Sequence, residues 1–497
     1  MPSVRKVKTP NGGVAIQVVR YKERKVVVMK HIGSTHVPEE ISALVARAEA
    51  WIARETPQRR LFEKPSPRML DLAHARYCGV RYAFAYDTLV AIMARMGWKT
   101  LQSPLLLDLA LMRIIEPSSK LRAIALLKRY FGVEYAERTV YRTLPMLKER
   151  KAEAEKIAIA FAKDDLSSDL SLVLYDVTTL YFETFDADGL RVPGFSKDNK
   201  SQQPQIVAGL LVTREGFPLG YEVFKGNTFE GHTMLPVLDA FAKAHHVAIP
   251  TVVADAAMIS RENVAKLKTR GLSYIVGARM ANAPPDVIEK VSATLAQKDG
   301  AMMRIATDHG NLVCDFSAKR YRKDAYEMEK QVAKAKELVE KGEPGKRAKF
   351  VARKEGEDAY VLHDALIEKT KRLLGIKGYY TNIPEKKLAN KEVVARYHDL
   401  WNVEASFRMA KNDLMTRPIF HHKEDAVRAH MVVCFVALTV GRYLERATNL
   451  SMRGVRDILW SVTDAQIFDA VTKETIVLRS ELDENAQSIL KKLSLSH

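Results

Sequence analysis

The sequence predicts a multidomain protein in which a mostly helical N-terminal region precedes a mixed α/β core. The chain has 497 residues, enough for about three domains of ~150 residues each. Over residues 71–165, apolar residues recur at three- and four-residue spacing, as in helices. From about residue 168 the pattern changes to strand-like runs that then alternate with helices. This order favours a sheet flanked by helices.

The composition excludes disordered and fibrous chains, because 47% of the residues are hydrophobic and 28% are charged. The formal net charge of +18 favours a polyanionic partner, and nucleic acid is favoured over a membrane. The longest apolar run, from Met431 to Val440, is much shorter than the roughly 20 residues needed to cross a bilayer. The first residues lack the apolar core of a signal peptide.

The three cysteines, Cys78, Cys314 and Cys434, are far apart and show no metal-binding spacing. They exclude a disulfide framework and a structural zinc site, and they favour a reducing compartment. We therefore expect a cytoplasmic protein.

Residues 1–70 are predicted to form a basic hairpin and helix region. Two β-branched runs, VAIQVVRY and KVVVMKHIG, are split by KERK and indicate a short β-hairpin, and a helical run follows. The region contains 14 Lys and Arg against six Asp and Glu. These basic residues form either a solvated face or a phosphate-contacting surface, and their number favours the second interpretation.

Residues 71–165 read as a helical DNA-binding region. Its segment AERTVYRTLPML is either the second helix of a helix-turn-helix, with Arg138, Tyr141 and Arg142 facing outward, or an ordinary bundle helix. No feature here specifies base contacts.

The rest of the chain divides into four predicted segments. Residues 166–280 begin the core with three strands in a meander, followed by alternating helices and strands. Residues 281–375 are interpreted as a β-rich basic insertion, since Lys319–Lys354 holds 13 Lys and Arg against six Asp and Glu. The alternative is a solvated charged helix. Residues 376–450 return to the core, and residues 451–497 form a helical tail.

Two aspartates lie in or next to apolar strands. Asp176 interrupts LVLYDVTTLYF, and Asp255 ends PTVVAD. A buried carboxylate is costly unless it is paired or bound to a metal, and strand ends in α/β sheets are common ligand sites. Each aspartate alone could cap a turn. Together, on strands expected to be neighbours, they indicate oxygen ligands for Mg²⁺.

A third carboxylate is expected on a helix from Lys391 to Asp413. Tyr397, Glu404 and Lys411 are spaced by seven residues, so they share one face of a regular helix. Arg408, four residues after Glu404, lies on the same stripe. The alternative is an exposed ladder of helical salt bridges.

These motifs resemble a known family. YDVTTLYFE, VVADAAM and the Tyr-x6-Glu-x6-Lys spacing are similar to the DDE transposases of bacterial insertion sequences. The closest resemblance is to the IS-four superfamily, which has a Tyr-x2-Arg-x3-Glu-x6-Lys signature. The resemblance covers residues from about Leu172 to Leu444. The arginine position of the signature is Leu400 here, and Arg408 is the candidate to supply the missing cation.

The resemblance implies a ribonuclease-H-like core. Asp176, Asp255 and Glu404 would be both the catalytic residues and the ligands of two Mg²⁺ ions, for which Mn²⁺ would substitute. Tyr397, Arg408 and Lys411 would contact DNA phosphates near the cleaved end.

The resemblance also implies cleavage of insertion-sequence ends and strand transfer of 3′-hydroxyls into target DNA. The partners would be double-stranded transposon ends and target DNA, bound by a homodimer in the bacterial nucleoid. The alternatives are a domesticated, non-catalytic DNA-binding protein and a metal-dependent nuclease of the same fold.

Overall fold

The computed structural model describes residues 2–22, 25–55, 75–246, 251–258, 260–341, 348–353, 360–470 and 472–495. The described chain forms two compact units. The first comprises described residues within 1–87, 128–133 and 458–488, and the second comprises the rest. The six segments expected from the sequence stay predictions, and the part of the predicted 1–70 region beyond residue 55 lies outside the described residues.

The strands of the described residues number sixteen. They are β1 (Pro2–Lys8), β2 (Val14–Lys22), β3 (Lys25–Thr35), β4 (Ala75–Arg81), β5 (Leu172–Tyr181), β6 (Gln205–Val212), β7 (Pro218–Lys225), β8 (Thr251–Ala254), β9 (Ser273–Ala278), β10 (Met302–Thr307), β11 (Gly310–Phe316), β12 (Val351–Arg353), β13 (Tyr360–Leu362), β14 (Ile376–Thr381), β15 (Asp464–Asp469) and β16 (Thr475–Arg479).

The α-helices in the same ranges also number sixteen. They are α1 (Pro38–Glu55), α2 (Ala83–Arg95), α3 (Pro104–Ile115), α4 (Lys120–Leu126), α5 (Glu137–Thr143), α6 (Lys151–Asp164), α7 (Met234–His245), α8 (Arg261–Thr269), α9 (Pro285–Thr294), α10 (Ala318–Lys341), α11 (Asp364–Arg372), α12 (Asn390–His398), α13 (Trp401–Arg408), α14 (Glu424–Thr448), α15 (Met452–Ser461) and α16 (Glu484–Lys492). Short 3₁₀ and π turns lie between several of them.

The first unit contains two small antiparallel sheets. The expected hairpin is present as β2 and β3, and β1 adds a third strand beside β2. Ile16 and Val18 of β2 pack against Leu44 and Ala48 of α1 to form a small core. The second sheet has the order β16-β15-β4.

The second unit is built on an eight-stranded mixed sheet with the order β10-β11-β14-β9-β8-β5-β6-β7. The expected meander is present, since β5, β6 and β7 pair antiparallel. The next two strands, β8 and β9, pair parallel on the other side of β5. All eight residues of β6 are buried, as expected for a strand covered on both faces. The chain is therefore a multidomain α/β protein with a large mixed sheet.

The longest apolar run lies in the core helix α14. Among the described helices, α14 is the one that could cross a membrane by length and composition, but 83% of its most apolar 18-residue window is buried inside the protein. Its apolar character is explained by packing, since it buries residues all around its middle turns.

Residues 281–375 differ from the expected β-rich insertion. Their described part contains more helix than strand, mainly in the 24-residue helix α10. The strands β10 and β11 extend the large sheet beside β14. The helices α10 and α11 and the hairpin β12–β13 share a small core of their own around Phe350. A charged helix was the alternative interpretation of this segment. Charged residues at helical spacing leave one apolar stripe that a helix can bury.

Candidate active site

Asp176 and Asp255 lie on neighbouring parallel strands. Tyr175 of β5 pairs with Ala254 of β8, so the next residue of each strand, the aspartate, lies at the same level of the sheet. Side chains alternate along a strand, which puts Asp176 on the same face as Thr178 and Leu180. Those two residues line a cavity with Phe407 of the following helical segment and with α14. The two aspartates therefore face the side of the sheet that the α13 region covers.

Asp176 is the one charged residue of β5, whose other residues are apolar or carry a hydroxyl. Its side chain is 17% exposed, and its strand neighbours on both sides are fully buried. The pKa of Asp176 is raised to about 7, mainly by burial and also by the charges of Asp255 and Glu230, although the charge of Lys197 opposes the shift. A carboxylate in this position is stabilised by a nearby cation.

Tyr397, at the end of α12, reaches across the sheet to Asp255. Its hydroxyl donates a hydrogen bond of 3.0 Å to Oδ1 of Asp255, and burial together with the Asp255 charge raises the pKa of Tyr397. Gly277 of β9 makes this approach possible, because a Cβ there would overlap the Tyr397 hydroxyl. Gly277 follows Val276, which pairs with Ala254. The glycine thus lies beside Asp255 in the sheet.

Glu404 projects from α13, and its side of the helix is exposed. The opposite side of α13 is fixed to the turn between β6 and β7. Asn402 donates a hydrogen bond of 2.8 Å to the carbonyl of Arg214, and Ser406 donates one of 2.9 Å to the carbonyl of Gly216. The Glu404 charge acts on the pKa values of Tyr397 and Lys377. Glu404 is therefore near these two groups, on the outer side of the site.

The expected single helix from Lys391 to Asp413 is wrong. It consists of α12 and α13, which are separated by a turn at Asp399 and Leu400, and of a π-helical turn over Met409–Asp413. Arg214 holds the turn by a hydrogen bond of 2.6 Å to Asp399. The seven-residue spacing assumed an unbroken helix, so it does not place the three side chains on one face. Tyr397 is buried, whereas Glu404 is exposed.

The donor chemistry of these carboxylates fits Mg²⁺, which prefers oxygen ligands. The two strand aspartates are neighbours, but Glu404 is not gathered beside them. Within the described ranges, no three His, Cys, Asp or Glu side chains are close enough together to hold a metal ion. The structure thus brings together two of the three predicted ligands.

The predicted DNA-contacting residues have three different environments. Tyr397 is 7% exposed and faces Asp255. Arg408 is exposed to solvent. Lys411 is largely shielded, and its Nζ donates a hydrogen bond of 3.0 Å to Asp198. Burial lowers the pKa of Lys411, and Asp198 opposes that shift. Of the three, only Arg408 is directly available to a phosphate.

Three charged residues at the site were missed from the sequence. Lys377 of β14 lies with its Nζ 4.6 Å from the ring centre of Tyr397. Lys197 lies 4.0 Å from Asp176 and 2.9 Å from Glu230. A signal for Lys377 was present, since it is the one charged residue of the strand run IKGYYT, in which it is the second residue. Lys197 and Glu230 belong to irregular or short 3₁₀ segments, for which periodicity gives no signal.

Among solved structures, the chain is similar to the piggyBac transposase in a synaptic complex with hairpin DNA. The sequence identity is 10%, the TM-score is 0.37, and the match covers 92% of this chain and 77% of the other. No curated protein sequence matches.

A family model gives a more direct result. Residues 168–440 match the model of the transposase DDE domain. The match includes β5 to β14 and α7 to α13, together with most of α14. All the residues predicted as ligands and as DNA contacts lie within it. Because the match spans more than half of the sequence, the chain belongs to the transposase DDE domain family.

Proposed function

We propose that this transposase cuts the ends of an insertion sequence of the IS-four type and joins the resulting 3′-hydroxyls to target DNA. The observation that carries the proposal is the position of Asp176 and Asp255. Asp176 on β5 and Asp255 directly after β8 lie side by side, because the two strands pair in parallel, and they lie on the face covered by the helices that carry Tyr397 and Glu404. The strand order β7-β6-β5-β8-β9 also supports a ribonuclease-H-like core, with one aspartate on its first strand and one after its fourth.

Asp176, Asp255 and Glu404 would hold two Mg²⁺ ions, or Mn²⁺ in their place. When bound, the metal supplies activation of the attacking oxygen and stabilisation of the leaving oxygen. Tyr397 orients Asp255 through its hydrogen bond. Asn402 and Ser406 anchor α13, the helix from which Glu404 would supply the third ligand.

The DNA contacts would come from several regions. Arg408 is exposed beside Glu404, and Lys411 follows on the π-helical turn. The basic residues of 1–70 would contact phosphates without regard to sequence, and residues 71–165 would recognise the transposon ends. Since both ends must be joined to one target, the DNA complex would be a homodimer. The protein would act on the bacterial nucleoid.

A joining assay tests the proposal. Labelled duplexes that carry the inverted repeats flanking the gene are incubated with supercoiled target DNA, Mg²⁺ and the full-length protein. We expect end cleavage and joined products with wild type and with Asp239→Asn, which alters an exposed acid of α7 that pairs with Arg270. Asp176→Asn, Asp255→Asn and Glu404→Gln should each abolish both steps and retain DNA binding.

Other outcomes distinguish the alternatives. Cleavage without joined products would indicate a nuclease of this fold. Binding to the repeats without cleavage by wild type would indicate a non-catalytic DNA-binding protein. Normal cleavage by Asp176→Asn or Glu404→Gln would refute the proposed ligand set.

A further inference from the structure

Two neighbouring residues of opposite charge, Lys197 and Asp198, enter the candidate site from the segment that connects β5 to β6. Lys197 contacts carboxylates of the site, whereas Asp198 contacts its basic side chains. Neither residue is needed for the ligand set proposed above.

Lys197 occupies the position of a cation among carboxylates. Its Nζ lies 2.9 Å from Glu230 and 4.0 Å from Asp176, and it donates a hydrogen bond of 2.7 Å to the carbonyl of Val177. The two carboxylates therefore share one ammonium group. A positive charge at this point offsets the cost of burying Asp176.

Asp198 occupies the position of an anion between two cations. Its Oδ2 lies 3.0 Å from Nζ of Lys411 and 3.2 Å from Nε of Arg417. The side chains of all three are at most 23% exposed. An oxygen anion paired with a lysine and an arginine is the arrangement in which proteins bind a phosphate.

The backbone around the pair is held in place by its own hydrogen bonds. The Lys197 amide donates to Thr179 Oγ1 of β5 at 3.1 Å. Ser196 Oγ accepts the amides of Asp198 and Lys200 at 3.2 and 3.0 Å. The carbonyl of Phe195 accepts a bond of 2.9 Å from the side chain of Gln205 in β6. These hydrogen bonds fix the turn from which the two charged side chains project.

We propose that Lys197 and Asp198 balance the charges of the site in the free protein. Lys197 pairs with a carboxylate that would hold the metal, and Asp198 pairs with the cations that would bind a DNA phosphate. This inference rests on the proposed function, because it assumes that Asp176 binds a metal and that Lys411 contacts a phosphate. Lys197 would have to leave Asp176 for that carboxylate to hold a metal, and Lys411 and Arg417 would have to leave Asp198 to contact DNA. Each release costs free energy, so the pair weakens the binding of metal and of DNA to the free protein.

The first arm of the test measures DNA binding without metal. A fluorescent random-sequence duplex is titrated with full-length protein in EDTA at fixed salt, and the fluorescence anisotropy gives the affinity. Asp198→Asn removes the competing anion, and we expect binding roughly three- to tenfold tighter than wild type. Asp186→Asn is the matched control, since it removes the same charge from an exposed residue of the same connecting segment.

The second arm measures metal binding without DNA. Free Mn²⁺ is followed by electron paramagnetic resonance during titration of the protein. Lys197→Gln should bind Mn²⁺ about three- to tenfold more tightly than wild type. The control Lys200→Gln removes an equal charge from an exposed position on the same turn, and it should leave the Mn²⁺ affinity unchanged.

The two arms are independent of each other. If Lys197→Gln fails to fold in a thermal melt, Asp198→Asn still tests the inference, because it nearly preserves side-chain size. The inference is overturned if Asp198→Asn binds DNA no more tightly than Asp186→Asn does. It is also overturned if a folded Lys197→Gln protein gains no Mn²⁺ affinity over Lys200→Gln. In either case an active wild-type enzyme in the joining assay would leave the proposed function intact, whereas failure of that function would appear as an inactive wild type.

Discussion

Tyr397 donates a hydrogen bond to Asp255 although the two residues are 142 positions apart in the chain. The bond connects the end of α12 to the end of β8, and it crosses Gly277 of β9. The side chain of Asp255 is otherwise exposed at this edge of the sheet. Tyr397 therefore fixes one of the two neighbouring aspartates, and it is the direct link between the helical part of the site and the sheet.

Replacing Tyr397 by Phe tests this link. The change keeps the buried ring, which lies 4.8 Å from the ring of Tyr379, and removes the hydroxyl. We expect the rate of end cleavage to fall about tenfold, because an unfixed carboxylate holds its metal less precisely. The free energy of unfolding should fall by only about 1 kcal/mol. Single-turnover cleavage and urea denaturation measure the two effects, and an unchanged cleavage rate would contradict the role of the hydroxyl.

Gly277→Ala tests the same link from the strand side. The new Cβ would overlap the hydroxyl of Tyr397 and lie 3.0 Å from Cζ of its ring, so the tyrosine must move away from Asp255. We expect a loss of cleavage at least as large as in Tyr397→Phe and a destabilisation of about 1–3 kcal/mol. Gly189→Ala is the control, since a Cβ there meets no heavy atom within 4 Å. Equal activity of the two alanine variants would refute the prediction.

The sheet positions of the aspartates could be predicted from local pattern. Asp176 is one charged residue in a ten-residue run that is otherwise apolar or hydroxyl-bearing, and Asp255 directly follows a short, fully buried strand. Apolar runs of this length indicate strands buried on both faces. The carboxylates were therefore recognisable as exceptions within their own segments.

The helical side of the site could not be predicted in the same way. The break between α12 and α13 depends on contacts with distant residues, such as Arg214 bound to Asp399. The sequence near Asp399 has no glycine or proline to signal it. The position of Lys377 beside Tyr397 depends on β14 pairing with β9. Long-range pairing of this kind leaves no periodic trace in a single sequence.

Lys377 is a second candidate for the cation that Arg408 was expected to supply. Its Nζ lies over the ring of Tyr397, and the charges of Asp255 and Glu404 act on it, although burial lowers its pKa. We expect Lys377→Met to slow cleavage about tenfold or more, because a half-buried positive charge near the carboxylates is removed. Arg408→Met should mainly weaken DNA binding. It should also make the slope of log affinity against log salt concentration shallower by about one unit, as expected for the loss of one phosphate contact. The reverse ranking in the cleavage assay would restore Arg408 as the missing cation.

Metal binding should appear as a stabilisation of the protein without DNA. At a Mg²⁺ concentration of about ten times the dissociation constant, a single site adds about 1.4 kcal/mol. Thermal melts with and without Mg²⁺ measure this gain. Asp176→Asn and Glu404→Gln should remove most of it, whereas Glu230→Gln should retain it, because Glu230 pairs with Lys197. Loss of the gain in Glu230→Gln and its retention in Glu404→Gln would make Glu230 the third ligand.

A buried lysine in the same unit predicts how stability depends on pH. Lys120 is 5% exposed, and its Nζ donates a hydrogen bond of 3.1 Å to Nδ1 of His430. The imidazole can accept there because its Nε2 donates to the carbonyl of Thr416 at 3.1 Å. Burial, together with the nearby charge of Arg113, lowers the pKa of Lys120 from 10.5 to about 7.

The sign of the effect follows from proton binding. Between pH 7 and about 10 the unfolded chain carries a proton on Lys120 that the folded chain has released, so the free energy of unfolding rises with pH. The slope is on the order of 1.4 kcal/mol per pH unit. We expect urea unfolding to show this rise for wild type and for Lys99→Met, which alters an exposed lysine. Lys120→Met should lack it, since it has no titrating amine at this position. An equal pH dependence in both variants would show that Lys120 stays protonated in the folded protein.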